Sequence, residues 1–572
     1  MDKPFVDYPF TAQRFSAALP PLVNGVETKR HPVVIVGGGP VGMSAALGLA
    51  KQGVPSVILE ADDSVCFGSR AICISRRSLE ILNRLGVADP FMAIGLPWTG
   101  GRSFYRDQEV LRFAMPQDDN QQFPPMLNLA QYSIEQCLLD GLAQHADLID
   151  MRWQSQVTAL HAQDVGVRLA VHTPAGDYTL TADWVIACAG GRSFVRESMG
   201  LTLEGASYEG RYVIVDILMN SPRQTERLAY FDPPCNPGST VLVHKQPDNV
   251  WRIDYQLREG EDPDEAIRPE NVVPRVASLL EMMGETAEWN PIWIGLYKAN
   301  ALTLPSYRHG RVLLAGDAAH LVPIFGVRGF NSGIDDADNA AWKLGLVVRG
   351  VANETLLDSY STERVAATHE NLSYGTKSTE FMAPPSFAFD LMRRAVLGLA
   401  VAHPGLSSLI NPRQSAPIAY TDSVLNGDDT GFEQGPAPGR VVPECPVTRI
   451  GSGSLENVHL TDLFAAVFTV LVFGERGELD ASWADMAAQL QARGVPARVI
   501  ALSAQEPESL DASTFASGLL TQAWDQTGQA FSLLGARPGA VYVLRPDGHV
   551  LARSQTGSAA WALAQIEVVL HA

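Results

Sequence analysis

Short apolar runs and longer runs of helical spacing alternate along the first part of the chain. Val33–Val36 and Ser56–Leu59 are apolar stretches of strand length, and the run from Met43 to Gly53 between them repeats apolar residues at helical intervals. That order, sustained from about His31 to Gly200, predicts strands and helices wound into a parallel sheet. The middle is strand-rich. In Trp251–Gln256 the alternation puts Trp251, Ile253 and Tyr255 on one face and Arg252, Asp254 and Gln256 on the other. Another buried strand opens in RVLLAGDAAH at Arg311, and helical patterns follow to about Ile410. Between Gly427 and Pro446 stand four prolines and four glycines with few large apolar residues, which predicts a linker. Leu460–Ala572 reads as strand, helix, strand, hairpin, helix. The expected division is an N-terminal arm over 1–30, an α/β domain over 31–200 and 301–390, and an inserted β-sheet domain over 201–300. A helical segment and linker over 391–435 and a C-terminal α/β domain over 436–572 complete it.

Composition narrows the function classes. The chain has 572 residues, with Lys+Arg 43 against Asp+Glu 63 and a formal charge of −20. Such a surface repels phosphate backbones and anionic lipid, so small-molecule chemistry is expected, with no nucleic acid and no membrane. MDKPFVDYPF lacks a basic segment followed by an apolar one, and the uncharged stretches are too short or too interrupted to span a bilayer. The six cysteines form no CxxC pair and no metal-spaced cluster, which predicts reduced thiols in a cytoplasm and no metal.

Candidate chemistry begins at Gly37-Gly38-Gly39-Pro40-Val41-Gly42, directly after the Val33–Val36 strand. In this G-x-G-x-x-G spacing Gly37 makes the tight turn, Gly39 lets a pyrophosphate approach the backbone, and Gly42 lets the helix pack on the strand. The helix N-terminus offers free N–H groups to phosphates. Glu60 ends the second strand, eighteen residues past Gly42, and can accept from ribose hydroxyls. The second motif lies in residues 311–343. A strand ends at Gly316-Asp317, where the aspartate can bind ribityl hydroxyls. Pro323, Gly326 and Gly329-Phe330-Asn331 then lead into a helix whose N-terminus would favour negative charge on a flavin ring.

Together these segments resemble the FAD-dependent aromatic hydroxylases, the single-component flavoprotein monooxygenases of the para-hydroxybenzoate and phenol hydroxylase type. GSRAICISRRSLEILNRLG, from Gly68, is similar to the family segment that would set Arg70 beside the flavin. LNLAQYSIEQCLLDGL is similar to the helix whose glutamine, here Gln131, contacts the cofactor. CAGGRSFVRESMG resembles the third motif, with Arg192, Ser193 and Arg196 in place. HKQPDNVWRIDYQL resembles the 3-(3-hydroxyphenyl)propionate hydroxylase branch, and residues 436–572 resemble the thioredoxin-like domain of the phenol hydroxylase subgroup. The resemblance implies a Rossmann-type FAD-binding domain, an inserted β-sheet substrate domain and a thioredoxin-like C-terminal α/β domain. It further implies non-covalent FAD, NADH or NADPH as a transient reductant, and hydroxylation of a phenolic compound by O₂ through a flavin C4a-hydroperoxide. A Baeyer–Villiger or epoxidising enzyme on the same scaffold, and a low-turnover flavin-binding scaffold, remain alternatives.

Two departures stand out. The family's Cys-Asp-Gly is Cys188-Ala189-Gly190 here, which touches the reductive half-reaction. Its Gly-Gln-Gly is Val327-Arg328-Gly329, which puts a cation where it could hold an anionic substrate. Arg328, His320 and Tyr255 are therefore the catalytic candidates, with His320 weighed against a structural role. His244, Arg252, Tyr255, Trp293 and Tyr297 are the substrate candidates. Beyond residue 436 the chain has Cys445 alone, which excludes dithiol exchange and favours packing or homodimer formation.

Overall fold

The computed structural model describes residues 3–258, 260–410, 416–451, 454–477, 479–506 and 519–572. Among them the first sheet has nine strands with a parallel centre. Val26–Val36 lies between Ser56–Leu59 and Gly176–Ala187, and Gly176–Ala187 pairs in turn with Val312–Leu314. Val33, Val34, Ile35, Val185, Ile186 and Leu313 are wholly buried, as strands covered on both faces require. Two helices, Pro40–Lys51 and Gly329–Val348, pack against one another through small residues. A Cβ on Gly48 would sit 2.6 Å from the Ala341 Cβ. The central strand begins at Val26, so the last residues assigned to the arm belong to the sheet.

A second sheet of eight strands runs in the order His320–Leu321, Trp289–Thr303, Glu204–Met219, Val250–Gln256, Thr240–Lys245, Arg227–Phe231, Gly100–Tyr105 and Gln108–Ala114. It reaches beyond the expected 201–300 at both edges. The Gly100–Ala114 hairpin joins by parallel pairing with Arg227–Phe231, and His320–Leu321 closes the other side. One face, with Trp251, Ile253 and Tyr255, buries itself against Val272, Val276 and Leu279 of the Pro269–Met282 helix. The opposite face, with Arg252, Asp254, Asp216 and His244, turns toward the first domain. Residues of the arm cross the junction between the two. Val6 N–H donates to Pro291 O at 3.0 Å and Phe15 N–H to Asp63 O at 2.8 Å.

The C-terminal residues form a distinct α/β unit around Phe468–Gly474, which is parallel to Ala497–Ser503 and antiparallel to Val541–Leu544. The Gly- and Pro-rich segment before it, the expected linker, runs as a strap against the unit. Gly427 N–H donates to Leu551 O and Gly439 N–H to Val550 O, both at 2.8 Å. Asp429–Thr430 pairs with Arg553 and Ser554. Gly435 and Gly439 have φ of +86° and +82°, and a Cβ on either would collide with the carbonyl of Leu534 or Tyr420. Close backbone approach, not flexibility, explains these glycines. The unit docks through a hairpin: Arg545 reaches both oxygens of Glu363 at 2.7 and 2.9 Å, and Trp342 Nε1 donates to Asp547 at 3.1 Å.

Candidate functional site

The first glycine turn is shaped by what its glycines avoid. Gly37 has φ +108°, and a Cβ there would lie 2.6 Å from the Cys188 carbonyl oxygen. On Gly42 it would collide with the Gly37 carbonyl, so helix and strand meet as closely as the spacing predicts. Gly39 is different: a Cβ there meets nothing within 4 Å. Gly39 caps the Pro40–Lys51 helix without a side-chain hydrogen bond, and the first-turn N–H groups are left for an anion. Val41 sends its side chain to the second motif, 3.0 Å from a Cβ built on Gly316. The Glu60 carboxylate accepts from Gly38 N–H at 2.6 Å and Asp62 N–H at 2.9 Å, so it braces the glycine turn.

At the second motif, Asp336 organises the turn. Its Oδ2 accepts from Gly316 N–H at 2.9 Å and lies 2.7 Å from His320 Nε2, and its Oδ1 accepts from Arg364 at 2.6 Å. Against the push of burial, Arg364 and His320 hold its carboxyl down to about 2. His320 itself is wholly buried. Through Nε2 it braces Asp336. Asp317, by contrast, is solvent-exposed, yet desolvation by the surrounding protein pushes its carboxyl up, with His320 and Arg70 pulling the other way. It therefore lines a recess.

The Gly329–Val348 helix starts at Arg328 without a side-chain cap, and a Cβ on Gly329 meets nothing within 4 Å. Asn331 spends its side chain on protein. It accepts from Ser75 N–H and Ser78 Oγ at 2.8 and 2.7 Å and donates to Cys73 O and Val327 O at 3.2 and 2.6 Å. Of this residue only the backbone is left to meet a cofactor. Phe330 packs on the main core, and Pro323 lies 3.4 Å from a Cβ on Gly375. Arg328 is buried, donates to Asn371 at 2.8 Å and covers the Tyr374 ring at 5.3 Å. It reaches the Leu356–Met382 helix and is not an exposed ion pair. Val327 has φ +53°, a left-handed backbone on a β-branched residue.

The loop carrying Arg70 joins the two sheets. Gln131 Oε1 accepts from Ala71 N–H at 3.1 Å, and Glu135 accepts from Cys66 N–H at 2.5 Å. Arg252 donates to the Arg70 carbonyl, and Gly68 rests against the Trp293 indole, 2.8 Å from Nε1 for an added Cβ. Tyr297 shares this side, close enough to Asp317 that, after burial, its charge pushes the phenol up. His244 pairs across from Arg252 on the same face, and burial followed by Arg227 and Arg252 keeps its imidazole neutral. His244, Arg252, Trp293 and Tyr297 are thus brought together. Tyr255 is not: it lies on the helix-covered face, with the Arg275 guanidinium 5.4 Å from its ring centre. Sequence reasoning missed Asp216, Glu135 and Tyr8. Spacing of four from Gln131 was the only signal for Glu135. In the third motif Ala189 and Arg192 are exposed, while Arg196 is committed to Gly191 O at 2.7 Å and Ala318 O at 3.3 Å.

These two open helix starts belong to a dinucleotide-binding α/β protein whose second motif is built for a flavin. Residues 30–373 match the family model described as FAD binding domain. The chain belongs to that FAD-binding family. A 3-(3-hydroxy-phenyl)propionate/3-hydroxycinnamic acid hydroxylase of Escherichia coli (strain SMS-3-5 / SECEC) is 30% identical over 359 residues, which is 62% of this chain and 62% of that enzyme. One of the same description from Mycolicibacterium smegmatis is 28% identical over 77% of this chain and 76% of its own. The flavin-dependent monooxygenase PieE, in complex with FAD and substrate, shares the fold with TM-score 0.75 at 23% identity, over 95% of this chain and 99% of PieE.

Proposed function

We propose that this chain is an FAD-dependent monooxygenase that hydroxylates a phenolic compound with NADH or NADPH and O₂. One observation carries the reading: the polar face of the second sheet meets the Arg70 loop where Asp317 lines its recess. Bound there, FAD would supply electron transfer from the nicotinamide and oxygen activation. The chain would supply placement. Gly37, Gly39 and the Pro40–Lys51 helix start would take the pyrophosphate, Glu60 the adenosine ribose, and Asp317 the ribityl hydroxyls. The Gly329 end of the long helix would set its partial positive charge against the ring. His244, neutral and buried, and Arg252 would orient the aromatic substrate. The compounds in the relatives' names, phenols with a carboxylate side chain, support that class.

We also read the C-terminal unit as thioredoxin-like but without redox function. Its parallel pair beside an antiparallel pair supports the first part. Burial of Cys445, the single cysteine there, supports the second. The test is oxygen and NAD(P)H consumption with phenolic acids, with product mass read for one added oxygen. Substrate-independent NAD(P)H oxidation without product would overturn the reading. Gly39→Val fills the open space over the turn and should abolish FAD binding. Full flavin occupancy in that variant would sink the site assignment.

A further inference from the structure

The Cys66–Ala71 loop is held by side chains from three other parts of the chain. Glu135 and Gln131 take its two ends, and Arg252 takes the Arg70 carbonyl. Ser69 Oγ donates to Asp216 Oδ1 at 2.9 Å, and the other oxygen of Asp216 accepts from the Tyr8 hydroxyl at 2.6 Å. Tyr8, Ser69 and Asp216 are 8%, 8% and 1% exposed, so water does not compete for these bonds. The Tyr8 ring also meets Phe67 of the loop and Tyr132 of the Gln131–Ala143 helix edge-on, at 5.5 and 5.4 Å. The arm is itself fixed, by Val6 N–H on Pro291 O and Lys3 Nζ on Trp289 O at 2.6 Å. Arg70, in contrast, exposes its side chain. Its guanidinium is therefore aimed by the backbone beneath it.

We propose that Tyr8 and Asp216 are positioning residues for the cofactor: through Asp216, the N-terminal arm sets the Ser69–Arg70 backbone and so aims Arg70 at the Asp317 recess. The proposal rests on the FAD reading given above. A loop ordered before the ligand arrives loses less freedom on binding, so releasing it weakens affinity. Removing one hydroxyl should be felt at the flavin although Tyr8 makes no contact with the site.

Flavin-stripped protein titrated with FAD tests this, with flavin fluorescence giving affinity and visible circular dichroism reporting the ring's surroundings. Tyr8→Phe keeps the ring contacts and should bind FAD about tenfold more weakly, with an altered visible spectrum. Asp216→Asn should weaken binding at least as much, and the double variant no further, because Tyr8 acts through Asp216. Phe10→Leu disturbs the arm's stack on Tyr132, 4.6 Å between ring centres, without reaching Asp216, and should keep parental affinity. If Tyr8→Phe does not fold, Ser69→Ala breaks the same relay from the loop side. Parental affinity and spectrum in Tyr8→Phe, even with a lowered Tm, would overturn the proposal, as would additive losses in the double variant. A parent that binds no FAD would overturn the cofactor assignment as well, a result distinct from either.

Discussion

Two buried ionic clusters join the parts of this protein, and they treat their carboxylates in opposite ways. Where the C-terminal unit docks, Glu363 accepts from Arg545 twice, from Lys343 at 2.7 Å, from Asn339 at 2.8 Å and from Ser423 at 2.5 Å. Against the push of burial, Arg545 and Lys343 hold its carboxyl well below the usual range. Where the arm and second sheet meet the Arg70 loop, Asp216 has two hydroxyl donors instead. There burial prevails over Tyr8, Arg252 and Ser69 and pushes the carboxyl up to about 6. Asp254, with Arg252 at 2.8 Å, is also pushed up by burial. Two shared cations lock Glu363 against burial, while the two hydroxyls leave Asp216 poised and the single Arg252 does not outweigh burial at Asp254. The poised cluster is the one beside the cofactor recess, where such tuning is common.

The sharpest way to break this contrast is Glu363→Gln. It leaves Arg545 and Lys343 buried with their shared counter-charge gone, and should cost about 3–5 kcal/mol in urea denaturation. A loss below about 1 kcal/mol would mean that the docking cluster is not the lock described. Next comes pH. The unfolded Asp216 carboxyl titrates at 3.8 and the folded one at about 6, so between them the folded chain holds a proton that the unfolded chain has lost. Its contribution therefore falls as pH rises through that window, by about 3 kcal/mol, and the slope should vanish in Asp216→Asn. Asp336, held at about 2 against 3.8, has the reverse sign: its stabilisation is full above 3.8 and lost as pH falls toward 2. Parallel pH profiles for parent and Asp216→Asn would erase the distinction. The smallest effect belongs to Val327→Gly. Relief of a left-handed β-branched residue, worth about 1–2 kcal/mol, is partly offset by glycine's freedom in the unfolded chain. A rise in Tm of a degree or two is expected, and a fall would show that the Val327 side chain contributes more than its backbone costs.

Legibility in the sequence followed the range of the interaction. The glycine turn, Glu60 and the Gly316-Asp317 turn are local patterns, and the alternation around Arg252 separated the two faces of its strand correctly. Which face is core depends on a helix further along the chain, and that helix covers Tyr255. Glycine and proline between Gly427 and Pro446 look the same whether they loosen a chain or let it pass close to another, and here they do the second. The bond from Tyr8 to Asp216 spans 208 positions and leaves no periodic trace. His320 and Arg328 stand out for versatile chemistry, while their contacts with Asp336 and Asn371 come from helices that the local pattern does not connect to them.

The strand order also sets a timetable for biosynthesis. Gly176–Ala187 pairs with Val312–Leu314, and the second sheet closes only with His320–Leu321, so neither sheet is complete until the ribosome has passed that point. At roughly 5–20 residues per second, the fully apolar strand Val33–Val36 waits tens of seconds before its sheet is whole. The edge of Gly176–Ala187 that takes Val312–Leu314 stays open to chaperones, and to neighbouring nascent chains, until that strand is made. Expression at lowered temperature or with chaperones in excess should raise the soluble yield more for this connectivity than for one built from consecutive strands.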